Sequence, residues 1–166
     1  MGGTLALQLA LDRPFRIEKL VLVNTFAKLK TTGLRQLPYF LQRLILLYAV
    51  GMPAQARAVA QRLFPHPEQE RLRNELISQI LQADPKGYRS TLLALARFNV
   101  ANRLSDINLP TLVISGEADT TVPLENQLQL VSGIPNAIHR IIPKAGHAVI
   151  VEEPEIFNQF LLDFLV

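Results

Sequence analysis

No cysteine occurs among the 166 residues, which excludes disulfides, thiolate metal ligands and a cysteine nucleophile, and fits a reducing, cytoplasmic setting. Long apolar runs are missing too. The longest, Leu44 to Val50, falls far short of the roughly 18 to 20 residues that cross a bilayer. The first residues lack a basic segment followed by an apolar stretch and a small-residue cleavage site, so they do not read as a secretory signal. Basic runs and basic patches interleaved with aromatics are absent, which argues against nucleic-acid binding. Histidines and carboxylates are not clustered at ligand spacing, which argues against a metal site.

What is present is core material: 49% of the residues are apolar and only 19% charged, ample for one buried core in a chain of this length. The net charge of +3 is unevenly spread. Between Lys28 and Arg103 there are twelve Lys/Arg against four Asp/Glu, and elsewhere five against ten. The basic residues stand singly along helical patterns, as on a solvated face, although a basic segment also suits an acidic substrate or an anionic surface.

The hydrophobic pattern alternates between helix and strand. Thr4 to Leu11 is small and apolar, the composition of a helix packed closely on a sheet, and Asp12-Arg13-Pro14 stops it. Leu20-Val21-Leu22-Val23 reads as a strand buried on both faces, followed by Asn24 and Thr25. From Gly33 to Asn102 the periodicity is helical: Leu34, Leu37, Leu41, Leu44 and Ile45, then Ala56, Val59, Ala60 and Leu63, then Leu72, Leu76, Ile77, Ile80 and Leu81. Pro53, Pro65-His66-Pro67 and Asp84-Pro85 divide this stretch into four helices, with Asp84 as the cap of the last and Tyr88, Leu92, Leu95, Ala96 and Phe98 on its apolar face. A strand at Pro110–Gly116, a helix at Leu124–Val131, a strand at Ala137–Ile142 and a closing helix at Pro154–Leu165 complete an α/β pattern with consecutive parallel strands. The expected organisation is a core of residues 1–32 and 103–166, interrupted by a helical cap or lid at 33–102.

Parallel sheets bind ligands beyond the carboxyl ends of their strands. Two loops there carry reactive residue types: Gly116-Glu117-Ala118-Asp119-Thr120-Thr121-Val122-Pro123, and Pro143-Lys144-Ala145-Gly146-His147-Ala148. A carboxylate held against one imidazole nitrogen fixes the tautomer and stabilises the imidazolium, leaving the other nitrogen to take a proton from a nucleophile. Asp119 and His147 are the candidates for that pair. Taken singly, an aspartate after a strand also serves as a turn or cap residue, and a lone histidine as a structural one. His139, alternating within a strand, reads as structural, and His66, between prolines, as exposed.

These motifs, in this order, resemble those of the α/β-hydrolase family over essentially the whole chain. Gly116-Glu117-x-Asp119-x-x-Val122-Pro123 is similar to that family's acid loop. Ala145-Gly146-His147, with Glu152, Glu153, Pro154 and Phe157, is similar to its histidine loop and closing helix. Met1-Gly2-Gly3-Thr4-Leu5-Ala6 resembles the residues just after the nucleophile in Gly-x-Ser-x-Gly, Leu20 to Asn24 resembles the next core strand, and the helical insertion lies where many members carry a lid. The resemblance implies the carboxyl-terminal portion of an α/β-hydrolase fold, with Asp119 as triad acid and His147 as general base. It implies Met1 as the residue whose backbone N–H contributes to the oxyanion hole, and Gly2 and Gly3 as elbow glycines whose missing Cβ permits the turn and close packing.

The implied activity is hydrolysis of a carboxylic ester, thioester or lactone through an acyl-serine intermediate, on a small-molecule acyl substrate and without a cofactor. The serine and the preceding strands are not in this sequence, so the chain is expected to be inactive without an N-terminal half. Relatives with an aspartate nucleophile commonly have tryptophan at the next position; Met1 resembles the serine type. Ser115 lacks a strand-turn-helix setting, Ser78 and Ser90 fall in lid helices, and Ser105 and Ser132 suit turns or caps. Phe40, Leu44, Tyr48, Tyr88 and Phe98 are candidates to roof an acyl pocket. The alternative is a non-catalytic, truncated relic or interaction module. Its apolar first strand would then be an exposed edge that pairs with a missing half or self-associates.

Overall fold

The computed structural model describes residues 1–29, 45, 48 and 50–166. The chain divides into two compact units, Met1–Leu29 with Arg97–Val166 and Lys30–Ala96.

The first unit is a three-stranded parallel sheet between helices. Helix α1 (Gly2–Asp12) buries Thr4, Leu7 and Ala10 at steps of three, and a single 3-10 turn at Pro14–Arg16 ends it. Strand β1 (Leu20–Val23) pairs with β2 (Thr111–Gly116), and β2 pairs with β3 (Ala137–Ile142), in the order β1-β2-β3. The register sets Leu22 beside Val113 and Gly116 beside Ile142. Every residue of the central β2 is buried, as a strand covered on both faces requires. The remaining helices are α5 (Leu124–Gly133), the single turn α6 (Val149–Glu152) and α7 (Pro154–Leu165).

Side-chain alternation along the strands splits the core into two layers. Leu20, Leu22 and Val113 pack with Leu7 and Ala10 of α1 and Leu130 of α5, together with Leu104, Ile107 and Ile134. Leu112, Ile114 and Ile142 face the other way, onto Val149 and Phe157. The amino group of Lys19 donates to the carbonyls of Phe164 and Leu165 at 2.8 and 2.9 Å, satisfying acceptors that the last turn of α7 leaves open.

Residues 97–102, which helical periodicity groups with the insertion, fall in this first unit. The Val100 N–H donates to the Ala27 carbonyl, Asn99 bridges Lys28, and Val100 is buried. Residues 101–106 continue as a 3-10 helix that buries Leu104. Backbone pairing to the segment after β1 outweighs the local helical pattern there.

The second unit contains three α-helices among its described residues: α2 (Met52–Leu63), α3 (Glu70–Leu81) and α4 (Pro85–Arg97, its last residue in the first unit). Asp84 caps α4 by accepting the Gly87 N–H at 2.6 Å. Arg73 donates to the carbonyls of Phe64, His66 and Pro67 and so closes the turn between α2 and α3. His66 is exposed. The first expected helix, from Leu34, lies outside the described residues apart from Ile45, as do the pocket candidates Phe40 and Leu44. No helix among the described residues is long and apolar enough to cross a membrane.

Candidate active site

Parallel pairing places the loops after β2 and β3 at one edge of the sheet, because Gly116 and Ile142 end their strands side by side. The first loop turns at once: the Asp119 N–H donates to the Gly116 carbonyl, and Asp119 points its carboxylate back into the turn. One carboxylate oxygen, Oδ1, accepts the N–H groups of Thr121 and Val122 at 2.7 and 2.9 Å. The other, Oδ2, lies 2.8 Å from Nδ1 of His147. The Asp119 side chain is 1% exposed and that of His147 28%. The carboxylate is thus fixed on three sides, and the imidazole has one nitrogen committed and part of its ring open to solvent. With Nδ1 held as the donor, Nε2 is the nitrogen left to exchange a proton.

Two close approaches make this arrangement possible. A Cβ added to Gly116 would stand 2.1 Å from the Gly146 carbonyl oxygen and 2.6 Å from that of Ala145, so glycine at the end of β2 lets the histidine loop lie directly against it. A Cβ on Gly3 would stand 2.4 to 2.7 Å from the side chain of Thr25. Gly3 therefore seats the head of α1 on the residues that follow β1, at the same carboxyl edge as Asp119 and His147. A Cβ built on Gly2 meets no described atom within 4 Å beyond its chain neighbours and the backbone of its own helix. Met1 heads α1, its carbonyl accepting from the Thr4 N–H, the Leu5 N–H and the Thr4 hydroxyl.

Other side chains brace the loops without having been singled out by spacing. Glu117 accepts the Lys144 N–H at 3.0 Å, and Glu152 accepts the Gly146 N–H at 2.7 Å. Asn24 reaches both loops from the end of β1. A carboxylate aimed at a backbone amide leaves no periodic trace in a sequence; the one available signal is a polar residue closing an apolar strand.

Ser115 is fully buried, and its hydroxyl lies 2.9 Å from Nε2 of His139, not beside His147. Burial holds His139 below the ordinary imidazole value. A lowered folded value means that the unfolded chain binds the proton more readily, so His139 stabilises the fold above about pH 6.5, and this contribution is lost as pH falls toward the folded value. The His139→Gln chain is accordingly expected to lose less thermal stability between pH 7 and pH 5 than the parent, as measured by circular dichroism melts. Equal losses in both chains would reject this assignment.

Comparison with known proteins agrees with this architecture. The model of the alpha/beta hydrolase fold matches residues 1–154. The chain belongs to the α/β-hydrolase family. Among relatives, RutD of Variovorax paradoxus strain S110, whose name assigns it as a carbamate hydrolase, is 35% identical over 172 residues, covering 99% of this chain and 63% of that protein. The 2-hydroxy-6-oxononadienedioate/2-hydroxy-6-oxononatrienedioate hydrolase of Paraburkholderia phymatum is 31% identical over 180 residues, covering 99% and 59%. Among solved structures, the enol-lactonase of Burkholderia xenovorans LB400 superposes with a TM-score of 0.86 at 28% identity, over 99% of this chain and 62% of that one. The α/β-hydrolase chain described here thus spans somewhat less than two thirds of the length of these relatives.

Proposed function

We propose that Asp119 and His147 are the acid and general base of a hydrolase that cleaves a carboxylic ester, thioester or lactone through an acyl-enzyme. The observation that carries this reading is the 2.8 Å contact between a buried carboxylate and a half-open imidazole on neighbouring loops. In the first half-reaction a serine oxygen attacks the substrate carbonyl carbon while its proton passes to His147 Nε2. The tetrahedral adduct then collapses, and the leaving group departs with that proton. In the second half, water attacks the acyl-serine and gives its proton to the same nitrogen, which returns it to the serine. Asp119 stays ionised throughout and stabilises the imidazolium. The relatives' names give hydrolysis of a lactone, a carbamate and a dienedioate or trienedioate, which suits a reaction at a carbonyl carbon.

The serine belongs to a segment that the 166 residues do not include; Met1-Gly2-Gly3 favours serine over aspartate there, and the Met1 N–H is assigned to the oxyanion hole. The cap expected at residues 33–102 is assigned to substrate selection, and the setting to the cytoplasm.

The test compares the 166-residue chain with the product of the reading frame extended upstream of Met1, using p-nitrophenyl acetate. The short chain should be inert and the long one active. Turnover by the short chain that disappears in its His147→Ala variant would place the nucleophile inside these residues. A folded long product that is inert toward esters, thioesters and lactones would reject hydrolysis and leave the interaction module.

A further inference from the structure

The residue that closes β1 has an unusual backbone and an unusual set of partners. Asn24 has φ of 44°, in the left-handed region that asparagine enters more readily than most residues with a Cβ. Its side chain is buried, with the residue 5% exposed. The amide nitrogen Nδ2 donates to the carbonyls of Gly146 and His147, at 3.0 and 2.8 Å. The amide oxygen Oδ1 accepts the Gly116 N–H at 2.8 Å. The backbone N–H of Asn24 is itself held by the Ile114 carbonyl.

That set of bonds fixes the orientation of the amide. Two carbonyls on one side call for the NH2 group, and one N–H on the other calls for the oxygen; a flipped amide would set acceptor against acceptor and donor against donor. Both polar atoms of the side chain are used, Nδ2 through its two N–H donors and Oδ1 as an acceptor. Because the group is buried, each broken bond would leave a desolvated partner.

The partners have a common feature. Gly116 carries the carbonyl that receives the Asp119 N–H, so Oδ1 fixes the base of the acid turn. The His147 carbonyl belongs to the residue whose ring meets Asp119, so Nδ2 fixes the backbone from which the imidazole projects. Glu117 and Glu152 also hold the histidine loop, through the Lys144 and Gly146 N–H groups, whereas Asn24 reaches the His147 carbonyl and the acid turn with one side chain. We infer that Asn24 is a positioning residue: one buried amide sets the distance between the Asp119 turn and the His147 backbone, and through it the Asp119–His147 contact.

This rests on the reading of Asp119 and His147 as an acid–base pair, and the two can fail separately. Asparagine is suited to the position for two reasons that substitutions separate. Asn24→Gly keeps the left-handed backbone and deletes the amide. Asn24→Asp keeps the shape and the acceptor, but turns a carboxylate toward two carbonyl oxygens.

The experiment is proton–nitrogen NMR of the histidine side chains on the 166-residue chain, comparing the parent with Asn24→Gly, Asn24→Asp and Asp119→Asn. Asp119→Asn should abolish the downfield His147 Nδ1 proton signal that a hydrogen bond to a carboxylate gives. Asn24→Gly should weaken that signal by at least half. Asn24→Asp should weaken it further, and the ring signals of His139, bonded to Ser115, serve as the internal control and should stay unchanged. If Asp119→Asn leaves the His147 signal unchanged, the acid–base reading fails. If Asp119→Asn abolishes it and Asn24→Gly leaves it intact, the positioning role is overturned. An Asn24→Gly chain that no longer folds overturns it as well, because the side chain would then support the whole fold and not the histidine loop in particular.

Discussion

Replacing His147 with alanine in the serine-bearing protein is expected to lower kcat by about 10⁴-fold to 10⁶-fold with little change in KM, the range seen when the base of a Ser-His-Asp system is removed. In the proposed mechanism the imidazole accepts the nucleophile's proton: its Nδ1 faces Asp119, while Glu117 and Glu152 accept backbone N–H groups of the loop. Without the ring, the serine would attack with its proton in place, and only substrate binding and the oxyanion donors would remain. Asp119→Asn should cost about 10⁴-fold, since an amide can still accept the N–H groups of Thr121 and Val122 but no longer holds the imidazole in its tautomer or offsets its charge. Steady-state rates on p-nitrophenyl acetate for the parent and both variants decide the matter. A His147→Ala enzyme within tenfold of the parent would remove His147 from the mechanism.

Gly116→Ala is expected to be the most damaging single methyl addition to the core, at about 3 kcal/mol or more. The new Cβ would meet the Gly146 carbonyl at 2.1 Å, the Ala145 carbonyl at 2.6 Å and Val149 Cγ1 at 2.9 Å. Two of the three are backbone atoms, which cannot swing aside as the end of a long side chain can. Relief requires the histidine loop to lift from β2, and that movement would stretch the Asn24 bonds to Gly116, Gly146 and His147 together. For a chain of this size the loss corresponds to a fall in Tm of roughly 6 to 12 °C. Ala145→Gly, which changes the same loop without adding an atom, should cost less. Thermal melts of the two variants check this, and a Gly116→Ala Tm within 2 °C of the parent would show that the loop yields freely.

Much of this was legible in the sequence because burial writes itself into residue order. Continuous apolar runs marked β1 and β2 where a strand is covered on both faces, and steps of three and four marked the helices. The turn at Asp84-Pro85 was readable because a cap and a proline act within one helical turn. The boundary near Arg97 was not, because the Val100 to Ala27 bond joins residues far apart in the chain. The short helix α6, and with it the placement of Glu152 against Gly146, was likewise beyond local pattern.

The sequence by itself determined the α/β alternation, the parallel order of strands, and the identity of Asp119 and His147 as the reactive residue types at the strand ends. Tertiary structure alone decided that their side chains stand 2.8 Å apart, that Ser115 belongs to His139, that Gly116 makes room for the histidine loop, and that Asn24 ties the two loops together. The division has a physical cause. Hydrophobic burial is periodic and non-directional, so it leaves a pattern along the chain. A hydrogen bond between loops depends on distance and angle, and these are set only when the strands carrying the loops have been packed side by side.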